Sequence, residues 1–165
     1  MFRAGFVVSA VVLMASFSFA QKADDPPTSV ASCNLDDGRE VYVRYNPVAT
    51  KSEKISNGKP FVPGGAPMTL FTETQLTLGN SVIPVGAYTI YPFPGRDKWQ
   101  LTVNKNVTPG AAYDEKQDIA RATMDTAQVS QPPDALDVAF AHVGPKCTLR
   151  IYFGKSASFV DFTEK

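Results

Sequence analysis

The sequence predicts an all-β protein, specifically an antiparallel β-sandwich of about eight or nine short strands. Residues 85–105 contain two runs of alternating apolar and polar residues on either side of a Pro94-Gly95 turn, which indicates a β-hairpin. Both runs are rich in β-branched and aromatic residues, which favour strands. Further short alternating runs follow, separated by Gly, Pro and Asn turns, a spacing typical of a sandwich or a closed sheet.

The first twenty residues have the parts of a secretory signal peptide. Arg3 supplies a positive charge, residues 6–19 form an apolar core, and Ser18-Phe19-Ala20 is a small-x-small cleavage site. An uncleaved anchor is the alternative, but the apolar stretch is short for a membrane span. We therefore expect cleavage after Ala20, export to the periplasm or the medium, and no membrane span in the mature chain. Polar residues precede Cys33, so we do not expect it to carry a lipid.

Composition divides the remaining chain into two parts. Residues 21–32 are polar and include Pro26-Pro27, which predicts a mobile leader. Residues 33–165 are expected to form a single domain. The full chain has 16 basic and 16 acidic residues, and removal of Arg3 leaves 15 basic residues, a net charge of −1. This balance implies no large basic face, so nucleic acid is not an expected partner.

The predicted elements begin with a strand over 39–45, after a turn at Asp36-Asp37-Gly38. Residues 49–67 are rich in Pro and Gly and predict a long loop, which we expect to be the first place to look for a ligand. Two strands over 68–73 and 74–78 precede the hairpin, and residues 113–117 could form one helical turn. The alternation then predicts strands over 119–124, 136–141, 147–153 and 158–162.

The two cysteines of the mature chain, Cys33 and Cys147, predict one disulfide. An even pair in an exported protein is usually bridged, whereas a reducing compartment would leave two buried thiols. The enclosed loop is long, so the chain-entropy model gives a stabilisation of roughly 4–5 kcal/mol.

The sequence offers no catalytic residue, metal site or cofactor motif. Any triad would have to use His142, the single histidine, which we interpret as a rim residue at the Gly144-Pro145 turn. One histidine and two bridged cysteines cannot form a conventional zinc site. Asp114, Glu115 and Asp118 form the densest acidic group, but they do not match an EF-hand and predict a solvated turn.

Carboxylates and aromatics leave two binding chemistries open. A pair of carboxylates could serve a glycosidase, but their spacing selects no pair among Glu40, Glu73, Asp97, Asp114, Glu115 and Asp137. A surface aromatic row could stack on a sugar, although such side chains in a β-protein more often pack in the core; the candidates are Tyr42, Tyr91, Trp99 and Tyr152.

Several stretches resemble a bacterial exported family known as domain of unknown function 2911. The strongest match is residues 113–121, YDEKQDIAR, against a family stretch YDEKQDLAR. Residues 82–91, Pro94-Gly95, Asp97 with Trp99, and Asn104-Lys105 continue the match. The resemblance implies a single exported β-sandwich with no established activity.

The chain departs from this family before the hairpin. Members commonly carry a segment PYG-x-VWRTGANEAT, whereas residues 63–74 here read PGGAPMTLFTET. Only Glu73 and Thr74 persist, and the Trp-Arg-Thr-Gly-Ala-Asn part is absent, so this chain is a divergent member. We predict Glu73, Tyr91 and Trp99 as binding residues in a non-enzymatic domain that binds an unknown ligand or an envelope protein. The alternatives are a carboxylate-based carbohydrate-active hydrolase and a purely structural component.

Overall fold

Antiparallel strands make up most of the computed structural model, which describes residues 28–165. Two 3₁₀ turns, Pro63–Gly65 and Glu115–Gln117, are the helical elements of this part of the chain. The prediction of an antiparallel all-β fold is confirmed. The strands within these residues are β1 (Ser29–Asn34), β2 (Glu40–Tyr45), β3 (Met68–Thr72), β4 (Leu76–Leu78), β5 (Ser81–Ile83), β6 (Gly86–Phe93), β7 (Trp99–Asn104), β8 (Asp118–Gln128), β9 (Asp137–Val143), β10 (Lys146–Phe153) and β11 (Ser156–Glu164).

Nine of these strands form one nearly closed sheet in the order β1-β2-β3-β6-β7-β8-β11-β10-β9. The sheet curls until its two end strands, β1 and β9, lie against each other. The short strands β4 and β5 leave this order, because β4 pairs with both β11 and β5. The curled sheet therefore has an inner face that forms the core and an outer face that is open to loops and solvent.

Alternate residues along the strands fill the interior. In β10, for example, Cys147, Leu149 and Ile151 are buried while the residues between them are partly exposed. The largest fully buried side chains come from all around the sheet and include Met68, Leu70, Ile90, Leu101, Met124, Leu149, Ile151 and Phe162. Burial of this continuous apolar surface is the main force that holds the curled sheet together.

The predicted disulfide is confirmed. Cys33 in β1 is bonded to Cys147 in β10, across a sequence separation of 114 residues, and both side chains are buried. Because β1 begins the sheet order and β10 is next to its last strand, the bond fastens the two ends of the curled sheet to each other.

The N-terminal boundary of the folded part differs from the one that composition suggests. Composition predicts residues 29–32 to be part of the polar leader, but they form the first half of β1 and pair with residues 42–45 of β2. Ala31 is buried, because an alternating polar strand can still present every second residue to the core. The signal peptide predicted over 1–20 and residues 21–27 of the leader lie outside the described residues. No helix between residues 28 and 165 is long and apolar enough to cross a membrane.

The predicted hairpin is formed by β6 and β7. Tyr91 pairs with Thr102 and Phe93 pairs with Gln100, in the antiparallel register that the alternation requires. The connecting turn needs a glycine at position 95, because a β-carbon there would collide with the carbonyl oxygen of Lys98. This hairpin carries the outer surface on which the candidate site is built.

The irregular loop between β2 and β3 is bound to the end of the hairpin. Gly58 N–H donates to the carbonyl of Pro94 at 2.8 Å, and Phe61 N–H donates to the carbonyl of Pro92 at 2.8 Å. The Phe61 ring is buried and meets the ring of Trp99 edge-on, with centroids 6.5 Å apart. The loop therefore closes the core under the hairpin turn and places Gly58 beside the turn.

Candidate functional site

The outer face of the β6–β7–β8 region carries a row of side chains from three neighbouring strands. Tyr91 of β6 lies opposite Thr102 of β7, which lies opposite Arg121 of β8. The segment between β7 and β8 folds back over this row. Its Tyr113 ring meets Tyr91 edge-on at 4.9 Å and Phe93 edge-on at 5.3 Å. These contacts fix the position of Tyr113 above the sheet.

A bulge at the start of β8 determines which side chains reach this face. Val103 pairs with Ala120 but Asn104 pairs with Asp118, so Ile119 is an extra residue in the ladder. Residues three apart in a regular strand point to opposite faces of the sheet. Because the bulge adds one residue, Asp118 and Arg121 instead lie on the same face. They form an ion pair there, with 2.5 Å between Arg121 Nη2 and Asp118 Oδ2.

Asp118 is the centre of a hydrogen-bond network. Its carboxylate accepts hydrogen bonds from Asn104 Nδ2 at 2.7 Å, from the Tyr113 hydroxyl at 2.6 Å and from Arg121 Nε at 3.0 Å. The side chain is only 9% exposed. These three hydrogen bonds and the contact with Arg121 Nη2 offset the cost of shielding the carboxylate charge from water. The prediction of a solvated acidic turn is therefore wrong for Asp118, because the bulge places this side chain on the outer face beneath the segment that carries Tyr113, where it is 9% exposed.

Asn104 connects the network to the segment that covers it. Besides Asp118, its amide group donates to the carbonyl of Asp114 at 2.8 Å, and its side-chain oxygen accepts from Asn106 N–H at 2.9 Å. Asn104 is 1% exposed, so all three bonds are made away from solvent. Asp114 in turn accepts from Lys116 N–H at 3.0 Å and begins the 3₁₀ turn. One buried amide thus holds both ends of the covering segment.

The network changes the acid–base properties of its members. Burial, and then the hydrogen bond to Asp118, raise the pKa of Tyr113 to about 12 from a usual value of 10.0. The pKa of Arg121 is also raised, chiefly by its hydrogen bonds to Asp118. Tyr113 therefore stays neutral and Arg121 stays charged at any physiological pH, and the pair presents a fixed hydroxyl and a fixed cation.

A cleft of about 510 Å³ opens beside this network, and we call it the Arg121 cleft. Its size lies in the range of small-molecule binding pockets. Aromatic side chains form part of its wall and polar side chains form the rest. It is lined by Gly58, Phe93, Pro94, Gly95, Lys98, Trp99, Gln100, Tyr113, Glu115, Arg121 and Thr123.

The charged groups in the Arg121 cleft are two cations and one carboxylate. Arg121 Nη2 forms an ion pair of 2.9 Å with Glu115 Oε1, and Lys98 Nζ lies 3.7 Å from Asp125 Oδ1 outside the cleft. Glu115 and Asp125 are 74% and 86% exposed, so solvent weakens both pairs. Solvent therefore weakens the compensation of Lys98 and Arg121 by these two exposed carboxylates, while the shielded Asp118 stays paired with Arg121.

The three predicted binding residues, Glu73, Tyr91 and Trp99, lie in three different environments. Trp99 lines the Arg121 cleft, although its side chain is 6% exposed and also belongs to the core. Tyr91 is 3% exposed and supports Tyr113 from beneath. Glu73 is not among the residues that line the cleft. Its Oε2 accepts a hydrogen bond of 2.9 Å from Glu40 N–H, at the far end of β3.

Four residues of the site, namely Asn104, Tyr113, Asp118 and Arg121, are not predicted as binding residues from residue types, and Asp118 enters only as a member of the acidic group with Asp114 and Glu115. A signal for three of them was nevertheless present, because they lie in or bound the stretch 113–121 that carried the strongest family match. The long loop that we expected to hold a ligand contributes Gly58 to the cleft. His142 lies elsewhere, with Nε2 at 2.6 Å from the carbonyl oxygen of Gly144.

Comparison with known proteins gives one result for most of the chain. The model of the family described as "Protein of unknown function (DUF2911)" matches residues 26–161. No curated protein and no solved structure matches the chain. The matched residues include every strand from β1 to β10 and the whole Arg121 cleft. The chain therefore belongs to this family of proteins of unknown function, DUF2911.

Proposed function

We propose that this protein is a non-enzymatic binding domain whose ligand is a small molecule held in the Arg121 cleft. The observation that carries the proposal is the fixed network of Tyr113, Asp118 and Arg121 at the wall of an open cleft of about 510 Å³. Binding sites typically combine apolar walls with a few convergent polar groups that are held in place before the ligand arrives.

The geometry of the network supports binding more than catalysis. Arg121 and Tyr113 are locked in protonation states that do not change near neutral pH, so they suit recognition rather than proton transfer. A glycosidase needs two carboxylates across its cleft. Glu115 is the one carboxylate among the described residues that line the Arg121 cleft. This distribution of charge favours the binding proposal over the hydrolase alternative.

Aromatic groups give the cleft a surface for a flat ligand. Phe93 and Tyr113 meet edge-on at 5.3 Å and both line the cleft. Gln100 and Thr123 are exposed on the neighbouring strands and offer hydrogen-bonding groups to the same space. A ligand with one flat apolar face and polar substituents would match this arrangement.

The single tryptophan provides a direct test. Trp99 lines the cleft, so a bound ligand is expected to change its fluorescence. We would titrate the purified protein with a library of acidic, neutral and basic small molecules and saccharides. Thr123→Phe fills the cleft from an exposed strand position and is expected to abolish the fluorescence response. Ser32→Phe, at an exposed position of β1, is the matched control and should respond like the wild type. Equal responses of the two variants would refute the proposal.

We further propose that the protein acts in the cell envelope or outside the cell. The signal-like residues 1–20 and the Cys33–Cys147 disulfide support this location, because disulfides persist in oxidising compartments. The test is N-terminal sequencing of the protein isolated from envelope and culture medium. A mature chain that begins at Gln21 is expected, and an intact Met1 in a cytoplasmic fraction would contradict the proposal.

A further inference from the structure

Only part of the hydrogen-bonding capacity of the Arg121 side chain is taken up by the described residues of the protein. A guanidinium group has five N–H donors. In the described part of the chain, Nε donates to Asp118 and Nη2 contacts Asp118, Tyr113 and Glu115, whereas no described residue accepts from Nη1. Nη2 therefore makes two hydrogen bonds and the ion pair with Glu115, while the two hydrogens of Nη1 have no acceptor among these residues.

The three partners of Nη2 differ in how firmly they are held. Asp118 is 9% exposed and is fixed by Asn104 and Tyr113. Glu115 is 74% exposed and approaches Arg121 from the 3₁₀ turn at the mouth of the cleft. An exposed ion pair of this kind is weak, so Glu115 is the partner that a competing anion can displace.

We infer that the ligand of the Arg121 cleft carries a carboxylate. Its two oxygens accept hydrogen bonds from Nη1 and Nη2 of Arg121, and it displaces Glu115 from Nη2. The inference rests on the proposed function. Two N–H groups on one edge of a guanidinium match the two oxygens of a carboxylate. Lys98 adds a second positive charge to the same cleft, and the walls of Phe93 and Tyr113 accept a flat ring next to the charged group.

Matched pairs of probes test this inference. Benzoate and benzamide share an aromatic ring, and D-glucuronate and D-glucose share a pyranose ring, so each pair differs at the charged group. We would measure all four affinities through Trp99 fluorescence. In at least one pair, the acid is expected to bind about tenfold or more tightly than its neutral partner, given the strength of charged hydrogen bonds. The pair that shows the difference identifies the kind of ring.

Two charge variants examine the role of each group without replacing Asn104, Tyr113, Asp118 or Arg121. Glu115→Gln removes the competing carboxylate and is expected to tighten binding of the acid by about two- to fivefold, with no effect on its neutral partner. Lys98→Gln is expected to weaken binding of the acid by a similar factor. Asp137→Asn and Lys51→Gln, at exposed positions outside the cleft, are the matched controls. Arg121→Lys keeps the positive charge but lacks the paired N–H donors of the guanidinium, so it should remove the preference for the acid.

The outcomes separate this inference from the proposed function. If acid and neutral probes bind equally and Thr123→Phe abolishes both, the cleft binds ligands but the carboxylate inference is wrong. Weaker binding of the acid in Glu115→Gln would also overturn it, because Glu115 would then be a ligand contact. If no probe of either pair changes the Trp99 signal and the wider library gives none either, both proposals fail. If Arg121→Lys does not fold, the Glu115 and Lys98 variants decide the question alone.

Discussion

Asn104 and Asp118 face each other across the point where the β7–β8 ladder shifts register, and their side chains are joined by a hydrogen bond of 2.7 Å. The shift leaves Ile119 as an extra residue and brings Asp118 to the outer face together with Arg121. A single strand irregularity therefore creates the hydrogen-bond network that lies beside the Arg121 cleft.

Replacement of Asn104 by alanine is expected to destabilise the protein by roughly 2–3 kcal/mol, because it leaves buried hydrogen-bonding groups without partners. The bonds lost are those to Asp118, to the Asp114 carbonyl and from Asn106 N–H. Urea denaturation would measure the change. Asn34→Ala, at an exposed position of β1, should change stability by less than about 0.5 kcal/mol. A result for Asn104→Ala as small as this control would show that the network contributes little.

Stability is expected to fall at high pH through Tyr113. Its pKa in the folded protein is about 12, above the usual value of 10.0, because burial and Asp118 disfavour the tyrosinate. Because the pKa of Tyr113 is higher in the folded than in the unfolded protein, the neutral hydroxyl stabilises the fold. This stabilisation is fully present below pH 10 and is lost as the pH rises through about 12. Denaturation curves between these limits should show the decline in the wild type and a smaller decline in Tyr113→Phe. Tyr42→Phe, which removes a hydroxyl group outside the network, is the control. A decline of equal size in Tyr113→Phe would rule out this source.

Loss of the disulfide is expected to destabilise the protein by roughly 4–5 kcal/mol, since the bond closes a long loop in the unfolded chain. The separation between Cys33 and Cys147 is 114 residues. The Cys33→Ala/Cys147→Ala double variant and the reduced wild type should both unfold at lower urea concentration than the oxidised wild type. Comparison of the double variant with the reduced wild type isolates the smaller effect of shortening two buried side chains to alanine. An unchanged midpoint on reduction would argue that the bond contributes no stability.

Glu73→Gln tests the remaining predicted binding residue. A glutamine can still accept the hydrogen bond that Glu40 N–H now donates to Glu73 at 2.9 Å, so stability should be nearly unchanged. Glu73→Ala removes the acceptor and is expected to cost about 1 kcal/mol. If Glu73 binds ligand, Glu73→Gln will weaken the Trp99 response. If its role is confined to β2, only the alanine variant will differ from the wild type, and only in thermal stability.

Local patterning was enough to predict much of the scaffold. Period-two alternation identified the hairpin at Tyr91 and Trp99, because side chains on a strand alternate between faces whatever surrounds them. The cysteine count indicated the Cys33–Cys147 bond. Alternation failed for residues 29–32, where a polar composition concealed a strand with a buried alanine. Strand pairing there is decided by β2, which lies later in the chain.

By itself, the sequence determined the all-β class, the turns and the residue types available for chemistry. Only the tertiary structure decided that the Asp118 side chain is largely shielded from solvent and that Arg121 lines a cleft. The physical reason is that a bulge exists only where two strands pair. The extra residue is defined by the partner strand, and no property of the stretch 113–121 alone determines on which face of the sheet each of its side chains will lie.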